Sequence, residues 1–312
     1  MDIKEFFLES HIFIVTGKGG TGKTVSSMAL AMTAAKHGLN TLLVTLDRDS
    51  HIFELLNIEM SETEAPVKVQ DNLSVRLITP EDALLRYLAE HGMGKTSKRL
   101  LSTNTVHVIS NAIPGIQEIL VLGRLKQLER DGAADVIIVD GPATGHAITL
   151  LTSPAGLTFA ARGGALKKQA EDVAEMLTDH KRCQVIFVCI PEETPINETV
   201  DAAFLMEDKT NVALAPMIIN QVYTSVQGIA TDPKAAAEEV GVADPDQQCL
   251  DILKAAAEFR LGRIEFQREL LSRLHKELAL PKIYLPLILA GDFTETMISA
   301  LAEILEKQII AI

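Results

Sequence analysis

Seven short apolar runs recur along the chain, and longer stretches with helix-like spacing separate them. The runs are rich in Val and Ile and alternate little with polar residues, which is typical of strands buried on both faces. They predict the α/β class, with a mostly parallel central sheet covered by helices on both faces. The predicted strands are residues 12–16, 41–46, 74–78, 136–139, 184–190, 217–220 and 282–285.

Two helices stand out in the same pattern. Residues 24–37 predict the first helix, and Gly38 follows where a left-handed C-terminal cap is wanted. Between residues 253 and 278, apolar side chains keep spacings of three, four or seven. That spacing predicts one long helix with a single apolar stripe, whose role is packing.

The chain of 312 residues is long enough for one or two domains, and we predict one spanning residues 1–312. No tract rich in Pro, Gly or Ser marks a linker. The stretches at about 80–112 and 149–182 are helical in character and longer than a crossover requires. We therefore predict helical insertions that form a small subdomain above the sheet. They sense nucleotide state or, alternatively, are inert padding.

The net charge of −13 argues against a surface that neutralises nucleic-acid phosphates. The first ten residues carry three acids where a secretory signal would have a basic start and an apolar core. No apolar run approaches the ~20 residues that cross a bilayer. We expect a cytoplasmic protein with no membrane span and no nucleic-acid partner.

The three cysteines show no Cys-x-x-Cys spacing. Neither a disulfide framework nor a zinc or iron-sulfur site within one chain is therefore expected. Cys183 and Cys189 flank a strand-like run, and we interpret both as small buried apolar residues.

A phosphate-binding loop is predicted between the first strand and the first helix. The sequence there satisfies G-x-x-x-x-G-K-[ST], and its glycines let backbone N–H groups converge on a phosphate. The start of the helix adds positive potential. Lys23 is expected to reach the β and γ phosphates of ATP, and the Thr24 hydroxyl to bind Mg²⁺, as in phosphate-loop NTPase folds. The predicted nucleotide-binding residues here are Gly17, Lys18, Gly19, Gly20, Thr21, Gly22, Lys23, Thr24 and Val25.

A second Gly-Met-Gly-Lys-Thr, at residues 92–96, is interpreted as a chance match. Ala89 occupies the place of the first glycine, and a helical stretch precedes the motif where a phosphate loop needs a strand.

Asp140 follows the predicted strand 136–139, at the end where this fold class holds Mg²⁺ or a water bound to it. A solvated loop carboxylate is the alternative. We interpret the segment that begins here as a switch, formed by Asp140, Gly141, Pro142, Thr144, Gly145 and His146.

Asp47 similarly ends the strand 41–46, from where it would orient the water that attacks the γ phosphate. A capping or turn carboxylate is the alternative, and nearby Asp49 is a second candidate for the role. His51 and His146 adjoin these segments, but neutral imidazole commonly only donates a hydrogen bond to a carbonyl. We therefore expect no chemical step from them.

These motifs resemble the deviant phosphate-loop ATPases of the ArsA family, which include the arsenite-pump ATPase and the ATPase that delivers tail-anchored membrane proteins. The resemblance covers most of the chain. It rests on Lys18 as the extra signature lysine and on residues 140–146, close to the family's Asp-Thr-Ala-Pro-Thr-Gly-His. Further matches are Ile113-Pro114-Gly115-Ile116-Gln117-Glu118 to the family's Pro-Gly-Ile-Asp-Glu, Asn220-Gln221 after a strand, and Leu285-Pro286 after another.

The resemblance implies a homodimer, or a heterodimer with a paralogue, that binds ATP and Mg²⁺ at the subunit interface. Lys18 would contact the partner's nucleotide and neutralise charge in the transition state. For Asn220, a strand-end turn former is the alternative role. The implied catalytic residues are Lys18, Lys23 and Asp47, those serving Mg²⁺ are Thr24 and Asp140, and those bordering the adenine are Asn220 and Pro286.

Two departures from the family leave its named activities open. Residues 48–51 do not match the family's Asp-Pro-Ala-His-Asn, and the Cys-x-x-Cys pair of the targeting ATPase is absent. The leading hypothesis is an ATP-driven switch that acts on a protein client or membrane-protein partner. The alternatives are an arsenite-efflux pump subunit, a membrane-positioning or DNA-partitioning ATPase, a nitrogenase iron-protein type of reductase, and a pseudoenzyme that binds nucleotide without cleaving it.

Overall fold

Strands and helices alternate along the chain. The computed structural model describes residues 2–61, 65–90, 115–160, 163–242, 244–290 and 293–312. The strands are Ile12–Gly17 (β1), Thr41–Thr45 (β2), Val67–Gln70 (β3), Leu73–Leu77 (β4), Val136–Ala143 (β5), Cys183–Cys189 (β6), Ala213–Leu214 (β7), Met217–Val222 (β8) and Lys282–Pro286 (β9). The helices are Ile3–Leu8 (α1), Lys23–Lys36 (α2), Ile52–Leu55 (α3), Pro80–Leu88 (α4), Ile116–Arg130 (α5), Thr144–Ala160 (α6), Ala165–Thr178 (α7), Glu193–Thr210 (α8), Pro233–Glu239 (α9), Gln247–Glu277 (α10) and Glu295–Ala311 (α11).

The strands form a nine-stranded sheet in the order β3-β4-β2-β5-β1-β6-β8-β9, with β7 beside β6. β3 runs antiparallel to β4, and the other described pairs are parallel. This confirms the predicted α/β class with a mostly parallel sheet. β1 lies between β5 and β6, so the carboxyl ends of these strands meet at one edge. Ligands of such sheets bind outside that edge.

Helices cover both faces of the sheet, as predicted. Along β1, Ile12 and Ile14 enter one core with residues of α5 to α8 and of the C-terminal half of α10. Phe13 and Val15 enter a second core with α1, α2 and α11. Because both sets are buried, all six residues of β1 are enclosed. This explains why the sequence shows a continuous apolar run there.

Several predicted boundaries were wrong by a few residues. β5 continues to Ala143, four residues past the predicted end at Val139, because it pairs with Gly17 and Thr16 Oγ1 donates to the Pro142 carbonyl at 2.8 Å. α2 covers the predicted first helix, and Gly38 takes the expected left-handed conformation with φ of 81°. The strands β3 and β7 were missed, because β3 is half exposed and β7 has two residues.

The predicted long helix is α10, but its predicted packing role was wrong for its first half. Leu270 and Leu274 are buried in the core that α5 to α8 form over one face of the sheet. By contrast, Leu253 is 52% exposed and Phe259 is 64% exposed. The first half packs against α9 and does not reach the core over the sheet. Most of its large apolar side chains are therefore open to solvent, whereas Leu250 is buried.

The division into one domain with two insertions stays a prediction. Residues 91–114 lie outside the described part of the chain, and with them the chance match at residues 92–96, Ile113 and Pro114. Within the stretch 149–182, Leu151 and Met176 join the core over the sheet. Cys183 and Cys189 are buried in β6, which confirms their interpretation as core residues. Among the described helices, we find none long and apolar enough to span a bilayer.

Candidate nucleotide site

The loop from Gly17 to Gly22 joins β1 to α2 at the carboxyl edge of the sheet. A Cβ atom on Gly17 would lie 2.0 Å from the Val188 carbonyl oxygen of β6. Gly22 has a φ of 89°, and a Cβ there would lie 2.2 Å from Asn220 Nδ2. Both positions therefore require glycine, and Gly19 and Gly20 between them carry no side chains that would block an anion.

The helix that follows this loop starts with an open amino end. Its N-cap is Gly22, and no side chain of the described residues caps its first N–H groups. Such groups, together with the helix dipole, favour a bound anion. Lys23 lies in the first turn, and its Nζ donates to the Lys18 carbonyl at 3.3 Å. Burial lowers the pKa of Lys23, while the charge of Asp140 acts in the opposite direction.

Asp140 lies beside the start of α2 because β5 is the neighbour of β1. Thr24 Oγ1 donates to its Oδ2 at 2.9 Å, and Ser27 Oγ donates to its Oδ1 at 3.3 Å. Burial raises the pKa of Asp140 to about 6, against the lowering effects of the Thr24 hydrogen bond and the Lys23 charge. A carboxylate and a hydroxyl in contact are oxygen donors of the kind Mg²⁺ prefers. The residues present fit that ion.

The predicted switch segment spans two elements. Asp140 to Ala143 belong to β5, and Thr144 to His146 begin α6. Gly141 lies so close to β1 that a Cβ would be 2.5 Å from the Val15 carbonyl oxygen. Thr144 is buried, and its Oγ1 has no hydrogen-bond partner among the described residues. His146 is exposed.

Asp47 lies two residues past the end of β2, next to the Mg²⁺ candidates. Thr45 pairs in register with Asp140 across β2 and β5, and the negative charge of Asp47 raises the pKa of Asp140. Asp47 Oδ1 also accepts the Asp49 backbone N–H at 3.0 Å. His51 Nδ1 lies 3.2 Å from a carboxylate oxygen of Glu54, one turn along. The structure thus brings Asp47 close to Asp140.

Asn220 contacts the phosphate loop. Its side chain is buried, and Nδ2 donates to the Thr21 carbonyl at 3.0 Å. Pro286 ends β9 and pairs in register with Val222 of β8. Val25, behind the loop, packs against the core of that face. Asn220 therefore supports the loop conformation, and Pro286 lies one strand further out along the same edge.

Sequence reasoning missed the partner of the signature lysine. Lys18 Nζ donates to Glu198 Oε1, which lies on α8 and is 180 residues away in the chain. No local pattern marks Glu198. Ser27 was also missed, although it has a detectable signal, because it follows Thr24 by three residues and so shares its helix face.

The edge continues past β8 into the middle of α10. Gln267 Oε1 accepts the Tyr223 N–H at 2.8 Å, and the Arg263 guanidinium lies 5.8 Å from the centre of the Tyr223 ring. Arg263 also forms an ion pair with Glu192, the N-cap of α8. These long-range contacts, which sequence reasoning missed, join α8 to α10 beside the loop.

Known proteins share this sequence pattern. The sequence model of the ArsA family, described as anion-transporting ATPases, matches residues 10–162 and 159–230. The ATPase BagA of Mycobacterium tuberculosis is 26% identical over 90% of this chain and 88% of its own length. An arsenical pump-driving ATPase of Escherichia coli is 28% identical over 80% of this chain but 45% of its own length. An arsenical pump-driving ATPase of Acidiphilium multivorum is 29% identical over 73% of this chain and 40% of its own length. Because the family model matches more than half of it, the chain belongs to the ArsA family of anion-transporting ATPases.

Proposed function

We propose that the chain binds ATP with Mg²⁺ at the loop 17–24 and hydrolyses it. One observation carries this proposal: Lys23, Thr24 and Asp140 converge beside a glycine-bounded loop at an uncapped helix start. No other class of ligand uses that combination as well as a nucleoside triphosphate does. ATP is most abundant inside cells, so we propose a cytoplasmic site of action.

The residues divide the work by their chemistry. Lys23 binds the β and γ phosphates, and Thr24 with Asp140 holds Mg²⁺, directly or through water. When bound, Mg²⁺ neutralises charge on the phosphate oxygens. Asp47 orients the attacking water from its place beside Asp140. Pro286 borders the adenine in this proposal.

We further propose that two copies of this chain, or one copy and a paralogue, close around the nucleotide. Lys18 of one copy then reaches the nucleotide of the other, where such a cation contributes about 10³ to 10⁵ in rate by analogy with arginine fingers. In the single chain, Lys18 is held by Glu198. Closing therefore exchanges the pair between Lys18 and Glu198 for a contact between Lys18 and the nucleotide of the other copy. In this way ATP drives a conformational switch that acts on a protein client or membrane-protein partner.

Arsenite export is a second candidate, because two of the relatives compared above are named arsenical pump-driving ATPases. A soft metalloid calls for thiolate ligands. Burial raises the pKa of Cys183 and of Cys189, which keeps both as thiols inside the core. Cys249 is exposed and lies on α10. These positions favour the switch over a metalloid site.

Calorimetry and sedimentation test the proposal. We expect ATP with Mg²⁺ to bind to the wild type, Lys23→Ala to lose that binding, and Lys36→Ala, on the same helix but paired with Glu306, to keep it. Asp47→Asn should bind ATP yet hydrolyse it slowly in a single turnover. Lys18→Ala should lose ATP-dependent dimers. A wild type that gives no heat with ATP would refute the proposal.

A further inference from the structure

A large apolar groove lies between α9 and the first half of α10, away from the loop 17–24. We call it the α9–α10 groove. Its volume is about 860 Å³, and its apolar lining includes Val226, Val240, Leu250, Leu253 and Ala257. That volume is in the range of sites that enclose a ligand or a partner side-chain cluster.

The walls of this groove are unusually open for apolar side chains. Val240 is 79% exposed, and none of the described residues of α9 is buried. Ile252 and Phe259, on the same half of α10 but outside the groove lining, are exposed as well. An open groove lined mostly by apolar side chains marks a binding surface.

The shape of the groove fits a helix. At α10, the lining residues are the N-cap Asp246 and, on the helix itself, Cys249, Leu250, Leu253, Ala256, Ala257 and Arg260. They recur at helical spacings and form one stripe that faces α9. A stripe of about four turns between two helices is the geometry in which the apolar face of a third helix docks.

Charge decides which helix fits. Residues 232–260, which include the lining residue Arg260, hold seven acidic and three basic side chains, a net charge of −4. A second copy would bring an equal negative charge to the same place, and an anionic membrane would be repelled as well. A positively charged occupant is therefore favoured.

We propose that the α9–α10 groove binds an amphipathic helix of a partner protein, with its apolar face in the groove and flanking Lys or Arg residues at the acidic rim. This inference rests on the proposed function, because it identifies the chemistry of the partner on which the ATP-driven switch acts. The docking itself needs no nucleotide.

A designed peptide tests the docking on the full chain without ATP. The probe is a fluorescein-labelled helix of about 18 residues, or five turns, with Leu and Ala on one face and Lys on the other. Its control carries Glu in place of Lys. By fluorescence anisotropy, we expect the Lys peptide to bind at least about tenfold more tightly than the Glu peptide, a difference of about 1.4 kcal/mol.

Two sets of variants locate the binding. Leu253→Asp should weaken the Lys peptide at least about tenfold, and its exposed position leaves the fold intact, as circular dichroism will verify. Reversing the rim charges should favour the Glu peptide, while the same reversal on α8 should not. The rim set is Glu238→Lys, Glu239→Lys and Asp244→Lys, and the α8 set is Asp201→Lys, Glu207→Lys and Asp208→Lys.

Three outcomes would overturn the inference. The first is equal affinity for both peptides, or binding that Leu253→Asp leaves unchanged. The second is self-association of the wild type that Leu253→Asp abolishes, which would make a second copy the occupant. The third is co-sedimentation with phosphatidylserine vesicles that the same variant abolishes. Calorimetry with ATP is independent of all three, so failure of the groove and failure of the nucleotide site are distinguishable.

Discussion

Replacing Asp140 by Asn is expected to stabilise the nucleotide-free protein. The carboxyl group is 9% exposed, and burial raises its pKa from 3.8 to about 6. The folded chain therefore holds a negative charge at neutral pH that the unfolded chain holds more easily. Asn has nearly the same shape and keeps an oxygen that accepts from Thr24 or Ser27.

The size and pH dependence of the effect follow from the pKa shift. A rise of about two units corresponds to about 3 kcal/mol, at 1.36 kcal/mol per unit. Since the folded pKa lies above the unfolded one, wild-type stability falls as the pH rises from 3.8 through about 6. The gain from Asp140→Asn is then complete above about pH 6 and shrinks toward zero near pH 4. Weaker hydrogen bonds to the neutral amide reduce it to about 1–3 kcal/mol.

Urea unfolding without nucleotide, at about pH 8 and about pH 5, measures this difference. Asp208→Asn, an exposed carboxylate on α8, serves as the control and should change little at either pH. With ATP and Mg²⁺ at about 1,000 times Kd the order should reverse, because ligand at that concentration adds about 4.1 kcal/mol to a wild type that binds it. An Asp140→Asn protein that unfolds at lower urea than the wild type at pH 8 would refute the reasoning.

Three further substitutions test separate parts of the structure. Gly22→Ala should weaken ATP binding at least about tenfold in calorimetry, because its Cβ meets the Asn220 amide. Gly38 has a φ similar to that of Gly22 but open space around it, so Gly38→Ala should lower the free energy of unfolding by about 1 kcal/mol and leave ATP binding intact. Glu129→Gln should lower the free energy of unfolding by about 2 kcal/mol, because it breaks a largely buried pair with Arg182, the residue before β6, whereas Glu265→Gln in an exposed pair should not alter the urea midpoint. Glu198→Gln should lower, about two- to fivefold, the ATP concentration that half-saturates dimers in sedimentation, since an exposed pair worth up to about 1 kcal/mol no longer holds the signature lysine.

The sequence predicted those parts of the site whose signals are local. The phosphate loop is eight contiguous residues. Asp140 directly follows the apolar run of β5, the strand next to β1 in the sheet. Glu198 and Arg263 belong to the same edge, but their partners are 180 and 71 residues away. An ion pair between distant helices leaves no periodic pattern, so only the folded chain reveals it.

The long helix shows a different limit. Apolar spacing predicted α10 correctly, because periodicity reports which side chains share a face. It does not report what lies opposite that face. The same stripe meets the core at Leu274 and open solvent at Leu253. That difference depends on where the sheet ends, which is a property of the whole topology.

Each charged group that we propose for MgATP already has a protein partner. Lys23 donates to the loop, Lys18 pairs with Glu198 of α8, and Asp140 accepts from Thr24. Binding therefore exchanges contacts, and releasing Lys18 removes one ion pair from α8, which keeps the pair of its N-cap Glu192 with Arg263 of α10. α10 in turn carries the wall of the α9–α10 groove. Two ion pairs, connected through α8 and α10 themselves, thus lie between the nucleotide loop and that groove. We expect ATP and the partner helix each to change the affinity for the other by the same factor.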